Sequence, residues 1–573
     1  MSGSVITRHF ATISTGRWGA RQVHYRRVGS GPLVILFHQS PLSSRDMLAT
    51  MERWKSYFTC LAPDSPGFGL SDPLGVSAAS MDDFADAAIE FMDALGVRRA
   101  AVYGFHTGAM ISGAIAAAHP DRIVCAVANG YVMMSEAEKK DIVQHYLPPF
   151  KPSWDGSHLT WLWARMREQA IFFPWYAKRL SNRLFNGVPS PEVLHDASLD
   201  FMRSGDHYRV GYRAAFLMKS DRTLQKMRAP MLVTAYATDV LATHLPRIKN
   251  ASRRVTVQRG GDLEETLELC RHYIAAHRPP RAPKPTASST LPGQLVRDYV
   301  SVAGGQLRLL KNIDGRGRPV VLLHDALGSI DTLKTIAKGF IGRRPVFAIE
   351  LPGHGESDDL LHSRSPSTAG YAAIVKRAII ALKLTRIDVV GVGFGGLIGL
   401  ELGLRDQRLV NALAIIGVAD LEGKKSREFI KHGLPHIEPD WFGGHFLEAW
   451  HMVRDQALFS PWYDRQSRSA LRQEPAIDPS RLQQRVLELF RSNGCWRRAL
   501  AAQASYPWRQ KLQSAVHHAK LPIALAASEV DPLRTSTSRV AEAVPSTDKI
   551  SLNSGERRWG AALVAFFDKG KCV

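Results

Sequence analysis

Two short stretches, VYGFHTGAM (102–110) and VVGVGFGGLIG (389–399), read as one turn written twice. In each, an apolar run enters a turn whose central residue stands two places from a glycine on either side. That residue is His106 in the first copy and Gly393 in the second. A neutral imidazole can act as base, nucleophile or hydrogen-bond donor near pH 7. A glycine supplies no functional group, but it takes positive φ at no steric cost. The pairing therefore points to chemistry at the first turn and a retained scaffold at the second.

The elements that must hold these turns repeat as well. With 573 residues the chain is too long for one hydrophobic core, so two or more domains are expected. In the first half QVHYRRVG alternates like a strand, PLVILFH is a continuous apolar run, and FTCLAPDSPGFGLSD is a strand running into a Gly/Pro-rich loop. A helix follows, with Ser80 as N-cap and Asp83 three residues on, and with Phe84, Ala88, Phe91 and Leu95 on one face. AAVYGF is the next strand, and TGAMISGAIAAAH is a small-residue helix suited to close packing. LRLLKNIDG, PVVLLH, VFAIELPGHGESDD, YAAIVKRAIIALKL, IDVVGVGF and GGLIGLELGL repeat that order in the second half. Alternation of this kind implies an α/β fold, a mostly parallel sheet flanked by helices, present twice in tandem. The Pro/Ser/Thr-rich stretch at 279–294 reads as a linker between an N-terminal domain, 1–278, and a C-terminal one, 295–573. PSWDGSHLTWLWARMREQAIFFPWY (152–176) also returns as PDWFGGHFLEAWHMVRDQALFSPWY (439–463), at the offset of 287 that relates Gly104 to Gly391. Duplication of an ancestral domain accounts for this.

Composition bounds the function. The balance of 45% hydrophobic and 22% charged residues is that of an ordinary globular protein. No apolar run is long enough to span a bilayer, and the opening MSGSVITRHFATISTGRW lacks the core of a signal peptide, so a cytoplasmic protein is expected. Cys60, Cys125, Cys270, Cys495 and Cys572 are scattered singly. This spacing suits idle thiols rather than a disulfide framework or a zinc site, and nothing calls for a metal or cofactor. The net charge of +21 clusters in RQSRSALRQEP, RLQQRVLELFRSNGCWRRAL and HRPPRAPKP. Without a nucleic-acid-binding motif, that charge suits a solvated face or attraction of a small anionic substrate better than nucleic acid.

The ordered motifs resemble the α/β-hydrolase superfamily over nearly the whole chain, twice. HQSP resembles the oxyanion-loop segment, while DSPGFGLSD and ELPGHGESDD resemble the loop after the fourth strand. GFHTG and GVGFG stand where relatives carry Gly-x-Ser-x-Gly, the nucleophile elbow. MLVTAYATDVL and PIALAASEVDPL resemble the strand ending at the catalytic acid, which the resemblance assigns to Asp239 and Asp531. It also implies a helical cap between strands six and seven, about 135–228 and about 422–519. The departures bear on mechanism. Both elbow serines are gone, and the histidine that relatives carry after the last strand is absent, with Asp262 near that place in the first half and Glu556 in the second.

The resemblance puts His106 at the N-terminus of the following helix, whose dipole disfavours the imidazolium. His106 would then serve as base or nucleophile, oriented through its far ring nitrogen by Asp239 or Asp262. Backbone N–H groups at Thr107 and Gln39 would form the oxyanion hole. The expected pocket comprises His38, Ser40, Phe105, Trp154, His158 and Trp163. His38 and His158 have counterparts in His324 and His445, which favours structural roles for both, and Ser40 and Ser43 also suit turn formation. Seven of the twelve tryptophans fall in the two cap segments, as a packing core or an aromatic pocket wall. The second site, with Gly393, Asp531 and Glu556, has neither serine nor histidine and reads as degenerate. Acid–base chemistry by its two carboxylates is the other option.

Three functions compete on this reading. The first is a hydrolase-type enzyme acting on a small acidic or aromatic ester, lactone or activated carbonyl compound through the N-terminal half. The second is an inactive pseudo-hydrolase serving as a binding or regulatory scaffold, and the third a cofactor-free lyase. The partner expected is a small-molecule substrate, with no membrane, and the two domains are expected to pack on each other.

Overall fold

The computed structural model describes residues 5–285, 288–553 and 555–569, and Cys572 lies outside them. The chain forms two compact units whose main division falls between Ser289 and Thr290. In the first, eight strands, β1 (Thr7–Ile13), β2 (Arg21–Val28), β3 (Leu33–Phe37), β4 (Thr59–Pro63), β5 (Ala100–Phe105), β6 (Ile123–Asn129), β7 (Met231–Thr234) and β8 (Val255–Val257), lie in the order β1-β2-β4-β3-β5-β6-β7-β8. β2 runs antiparallel to β1 and β4, and the other neighbours are parallel. The second unit has β9 (Val296–Val302), β10 (Gly305–Asn312), β11 (Val320–Leu323), β12 (Val346–Ile349), β13 (Ile387–Val392), β14 (Val410–Ile416), β15 (Ile523–Ser528) and β16 (Asp548–Leu552) in the corresponding order. These are two tandem α/β-hydrolase-like sheets, as the alternation of strands and helices implied.

Local chemistry explains the elements. β3 is buried along its whole length because helices cover both faces of a parallel sheet, which is why its sequence, LVILF, is apolar throughout. The helix Met81–Ala94 starts at a capping box in which Ser80 accepts from Asp83 N–H and the Asp83 carboxylate accepts from Ser80 N–H. Its Phe84, Ala88 and Phe91 are buried, while Leu95 caps its C-terminus half-buried. The helix Thr107–Ala118 is buried over most of its length and leaves no room for a side chain at either flanking glycine. A Cβ on Gly104 would stand 1.9 Å from Gly108 O, and one on Gly108 would stand 2.0 Å from Phe37 O.

Between β6 and β7 the chain makes a helical cap that includes Ser157–Ile171, Pro191–Ser204 and Tyr208–Leu217. Its aromatic residues pack on one another, with Phe150 centred 5.2 Å from Phe201, 5.8 Å from His158 and 6.0 Å from Trp161. Cys60, Cys125, Cys270 and Cys495 are unpaired and buried, and burial pushes the Cys60 and Cys125 thiols up to about 12. Among the described residues no helix is long and apolar enough to cross a membrane.

Candidate functional site

The elbow between β5 and the helix Thr107–Ala118 holds His106 at φ 48°, ψ −108°, a region costly for any residue with a side chain. Its backbone is pinned by a hydrogen bond from His106 N–H to Asn129 O at 2.9 Å. His106 Nε2 lies 2.9 Å from Asp239 Oδ2, with the carboxylate fully buried and the imidazole 24% exposed. Asp239 stands just after β7, where its Oδ1 also accepts from Leu241 N–H at 2.6 Å. Burial alone would raise the Asp239 carboxyl. The charge and hydrogen bond of His106, with the Leu241 N–H, outweigh it and hold the group below the usual carboxylate range. An ionised Asp239 accepts Nε2–H, so in the neutral ring Nδ1 carries the lone pair. Nδ1 has no partner among the described residues, and the Cδ2–Nε2 edge lies against Gly130. Phe105 stacks on the imidazole with centroids 4.1 Å apart.

The other residues singled out in the sequence separate into neighbours of this pair and residues engaged elsewhere. Asp262 is exposed and caps the helix Leu263–Ala276, accepting from Glu265 N–H at 2.8 Å, so its carboxylate is engaged away from the imidazole. Gln39 does not present a free oxyanion donor. Its N–H and its amide nitrogen both point at the Asp46 carboxylate, each at 3.3 Å. Thr107 N–H, in the first turn of the elbow helix, is the remaining backbone donor. His38 accepts from Ser65 N–H on Nε2 and donates from Nδ1 to Gln39 O, a doubly satisfied buried ring that braces two loops. Ser40 N–H lies 3.4 Å from Thr107 Oγ1, and Tyr212 OH donates to Ser40 O at 2.6 Å. Ser43 Oγ donates to Asp200 of the cap at 2.7 Å. The cap thus grips the loop after β3 at two points. Trp154 is 72% exposed, whereas Trp163 and His158 are buried.

A model of the alpha/beta hydrolase fold matches residues 32–190, and a model of the alpha/beta hydrolase family matches residues 297–564. The chain belongs to the α/β-hydrolase superfamily. Similar curated proteins include haloalkane dehalogenase 2 of Mycobacterium bovis, 35% identical over 105 residues, which are 18% of this chain and 36% of that one. The 2-(acetamidomethylene)succinate hydrolase of Mesorhizobium japonicum is 30% identical over 146 residues, 25% of this chain and 51% of that one. The chain therefore matches from about a third to about half of the length of these relatives. Among solved structures, a hydrolase from Pseudomonas aeruginosa is 20% identical, covers 47% of this chain and 96% of its own, and has a TM-score of 0.36. The enol-lactonase from Burkholderia xenovorans is 16% identical, with coverage of 45% and 96% and a TM-score of 0.34.

The second α/β-hydrolase elbow has the same backbone and a different interior. Gly393 sits at φ 51°, ψ −117°, and its N–H bonds Ile416 O at 2.9 Å, in parallel with His106. Where a side chain would stand, Asp325 enters from the loop after β11. A Cβ on Gly393 would be 2.3 Å from Asp325 Oδ1, and that oxygen accepts from Phe394 N–H at 3.0 Å. The backbone donor that would serve an oxyanion is thus occupied by a carboxylate of the protein itself. Burial raises the Asp531 carboxyl, against the Leu533 N–H that bonds it, and the charge of Asp325 adds to the rise. Glu556 sits in the first turn of its helix, 3.8 Å from Arg481, and is not drawn into this group. Asp325 and Asp46 were not singled out in the sequence. The available cue was HQSP against HDAL, where Asp325 replaces Gln39 in the same chain half in which Gly393 replaces His106.

Proposed function

We propose that the N-terminal half hydrolyses a small ester, lactone or activated carbonyl compound, with His106 as general base and Asp239 as its orienting acid. The 2.9 Å contact between His106 Nε2 and Asp239 Oδ2 carries this reading. Nδ1 takes a proton from water as the water oxygen attacks the carbonyl carbon, and Asp239 stabilises the imidazolium. Nδ1–H then protonates the departing alkoxide, which returns the ring to its neutral form. Thr107 N–H receives the developing oxyanion. Base catalysis of this kind contributes about 10²–10⁴ in rate, and one oxyanion donor about 10²–10³. The family's hydrolases support the reaction class, and the strained elbow supports a working role for its central residue.

The C-terminal half acts as a non-catalytic domain in this reading, because Asp325 occupies both the side-chain seat and the Phe394 donor. The test is a panel of chromogenic esters and lactones followed through the first turnover. A general base gives linear product release with no burst and no acyl-enzyme trapped by hydroxylamine. A stoichiometric burst abolished in His106→Ala would make His106 a nucleophile instead. Turnover unchanged in His106→Ala would remove the proposal.

A further inference from the structure

The cap of the first unit holds a cation without a counter-ion. Arg165, on the helix Ser157–Ile171, is 1% exposed, and its Nε and Nη2 have no hydrogen-bond acceptor among the described residues. Nη1 is held by Gln169 Oε1. Among the described residues no carboxylate forms an ion pair with the guanidinium. The rings of Phe201, Trp175, Tyr146 and Tyr208 surround it, with centroids 5.2, 5.4, 5.5 and 5.9 Å from its central carbon. Aromatic faces attract a cation, but they do not accept its in-plane N–H groups. Arginine's fixed fork suits a carboxylate taken in two parallel bonds.

The path from this cation to the elbow is short. Arg165 lies over the Tyr146 ring, which packs 5.4 Å from the ring of Tyr212; the Tyr212 hydroxyl donates to Ser40 O, and Ser40 N–H lies against Thr107 next to His106. Ser40 Oγ is also buried without a partner. Arg165 Nε and Nη2 and Ser40 Oγ thus lack a partner among the described residues, with Tyr146 and Tyr212 packed between them.

The second half provides an internal comparison. At the offset of 287 that relates the two cap segments, Arg165 corresponds to Met452, although the adjacent Arg167 returns as Arg454. At the offset of 288 that aligns Pro191 with Pro479, Phe201, Tyr208 and Tyr212 correspond to Leu489, Trp496 and Leu500. All four replacements are buried and apolar. At these positions the second half has neither the charge nor the hydroxyls, and Gln456, the counterpart of Gln169, accepts instead from Arg485 at 2.7 Å.

We propose that Arg165 and Ser40 form an anion subsite that holds a carboxylate of the substrate next to His106. The inference rests on the hydrolase reading for the word substrate, but binding is measurable without turnover. The experiment is isothermal titration of the full chain with succinate and benzoate, beside succinamide and benzamide as neutral counterparts, in wild type and His106→Ala. Each charge-assisted bond lost weakens binding by roughly 10- to 100-fold. Carboxylates are expected to bind both proteins, with the amides at least about 10-fold weaker. Arg165→Met, the residue the second half has there, should lose carboxylate binding by about 100-fold. Ser40→Ala, a small change that keeps the packing, should weaken it by about 10-fold and weaken amide binding by less. Absence of carboxylate binding by wild type, equal binding of acid and amide, or full binding by a folded Arg165→Met would overturn the subsite. Carboxylate binding by a protein that turns over no ester would uphold the subsite and remove the hydrolase reading.

Discussion

Replacing Gly393 with alanine should destabilise the second domain, and the structure divides that cost into two parts. An alanine at φ 51°, ψ −117° carries backbone strain of about 1–3 kcal/mol. Its Cβ would fall 2.3 Å from Asp325 Oδ1, so the carboxylate must leave its place and surrender the bond from Phe394 N–H. A hydrogen bond to a charged group is worth about 1.5–3 kcal/mol, which brings the total to roughly 3–5 kcal/mol. In an Asp325→Ala background the second part is already lost, so Gly393→Ala should cost only the strain. A double-mutant cycle on the full chain should therefore show a coupling of about 2 kcal/mol. Because two domains need not unfold together, the assay is hydrogen exchange at β13 and the helix Phe394–Arg405, compared across the four proteins. Additive effects, with no coupling, would refute the claim that Asp325 occupies the vacated seat.

Other consequences can be checked alongside. Asp239→Asn should lower kcat/KM by about 10²–10⁴-fold with the fold intact, because the amide no longer fixes the tautomer or stabilises the imidazolium; steady-state kinetics reads this. His106→Ser, which gives the elbow the serine common in this superfamily, should be as impaired as His106→Ala, because Asp262, the residue after β8 where relatives carry the histidine, caps a helix and supplies no general base. In the second unit, burial pushes the Glu350 carboxyl up to about 7 against the pull of Arg308, with Asp331 and Glu488 adding to the rise. Its folded value exceeds its unfolded one of about 4.3, so the folded state holds an extra proton between them, and this contribution to stability is lost as pH rises toward and through 7. Glu350→Gln should flatten that decline in Tm between about pH 5 and 8.

The architecture was legible because its causes are local. Continuous apolar strands such as LVILF, the Ser80 capping box and the glycines at 104 and 108 each state in a few residues what the backbone must do. The edge strands β1 and β9 were not singled out, since their pairing with β2 and β10 depends on the rest of the sheet. The site was legible in residue type and less so in contact. Gln39 reads as an oxyanion donor until Asp46, seven residues on, is seen to take its N–H. Asp325 and Phe394 are 69 residues apart, and only the folded chain brings them together. Trp154 carries the same letter as Trp163, yet one is in solvent and the other is enclosed. Arg165 was one charge among 74 lysines and arginines until its burial singled it out.

The central claim is that chemistry resides at the first elbow, with His106 as its working side chain. The most direct measurement is kcat/KM for the best-turned-over ester of the panel, wild type beside His106→Gly, which gives the first elbow the residue of the second. The backbone should keep its turn, as Gly393 keeps it at nearly the same φ and ψ. A loss of about 10²–10⁴-fold with unchanged Tm or a higher one is expected. Equal activity in the two proteins would contradict the account and leave His106 as a side chain that merely fills its seat.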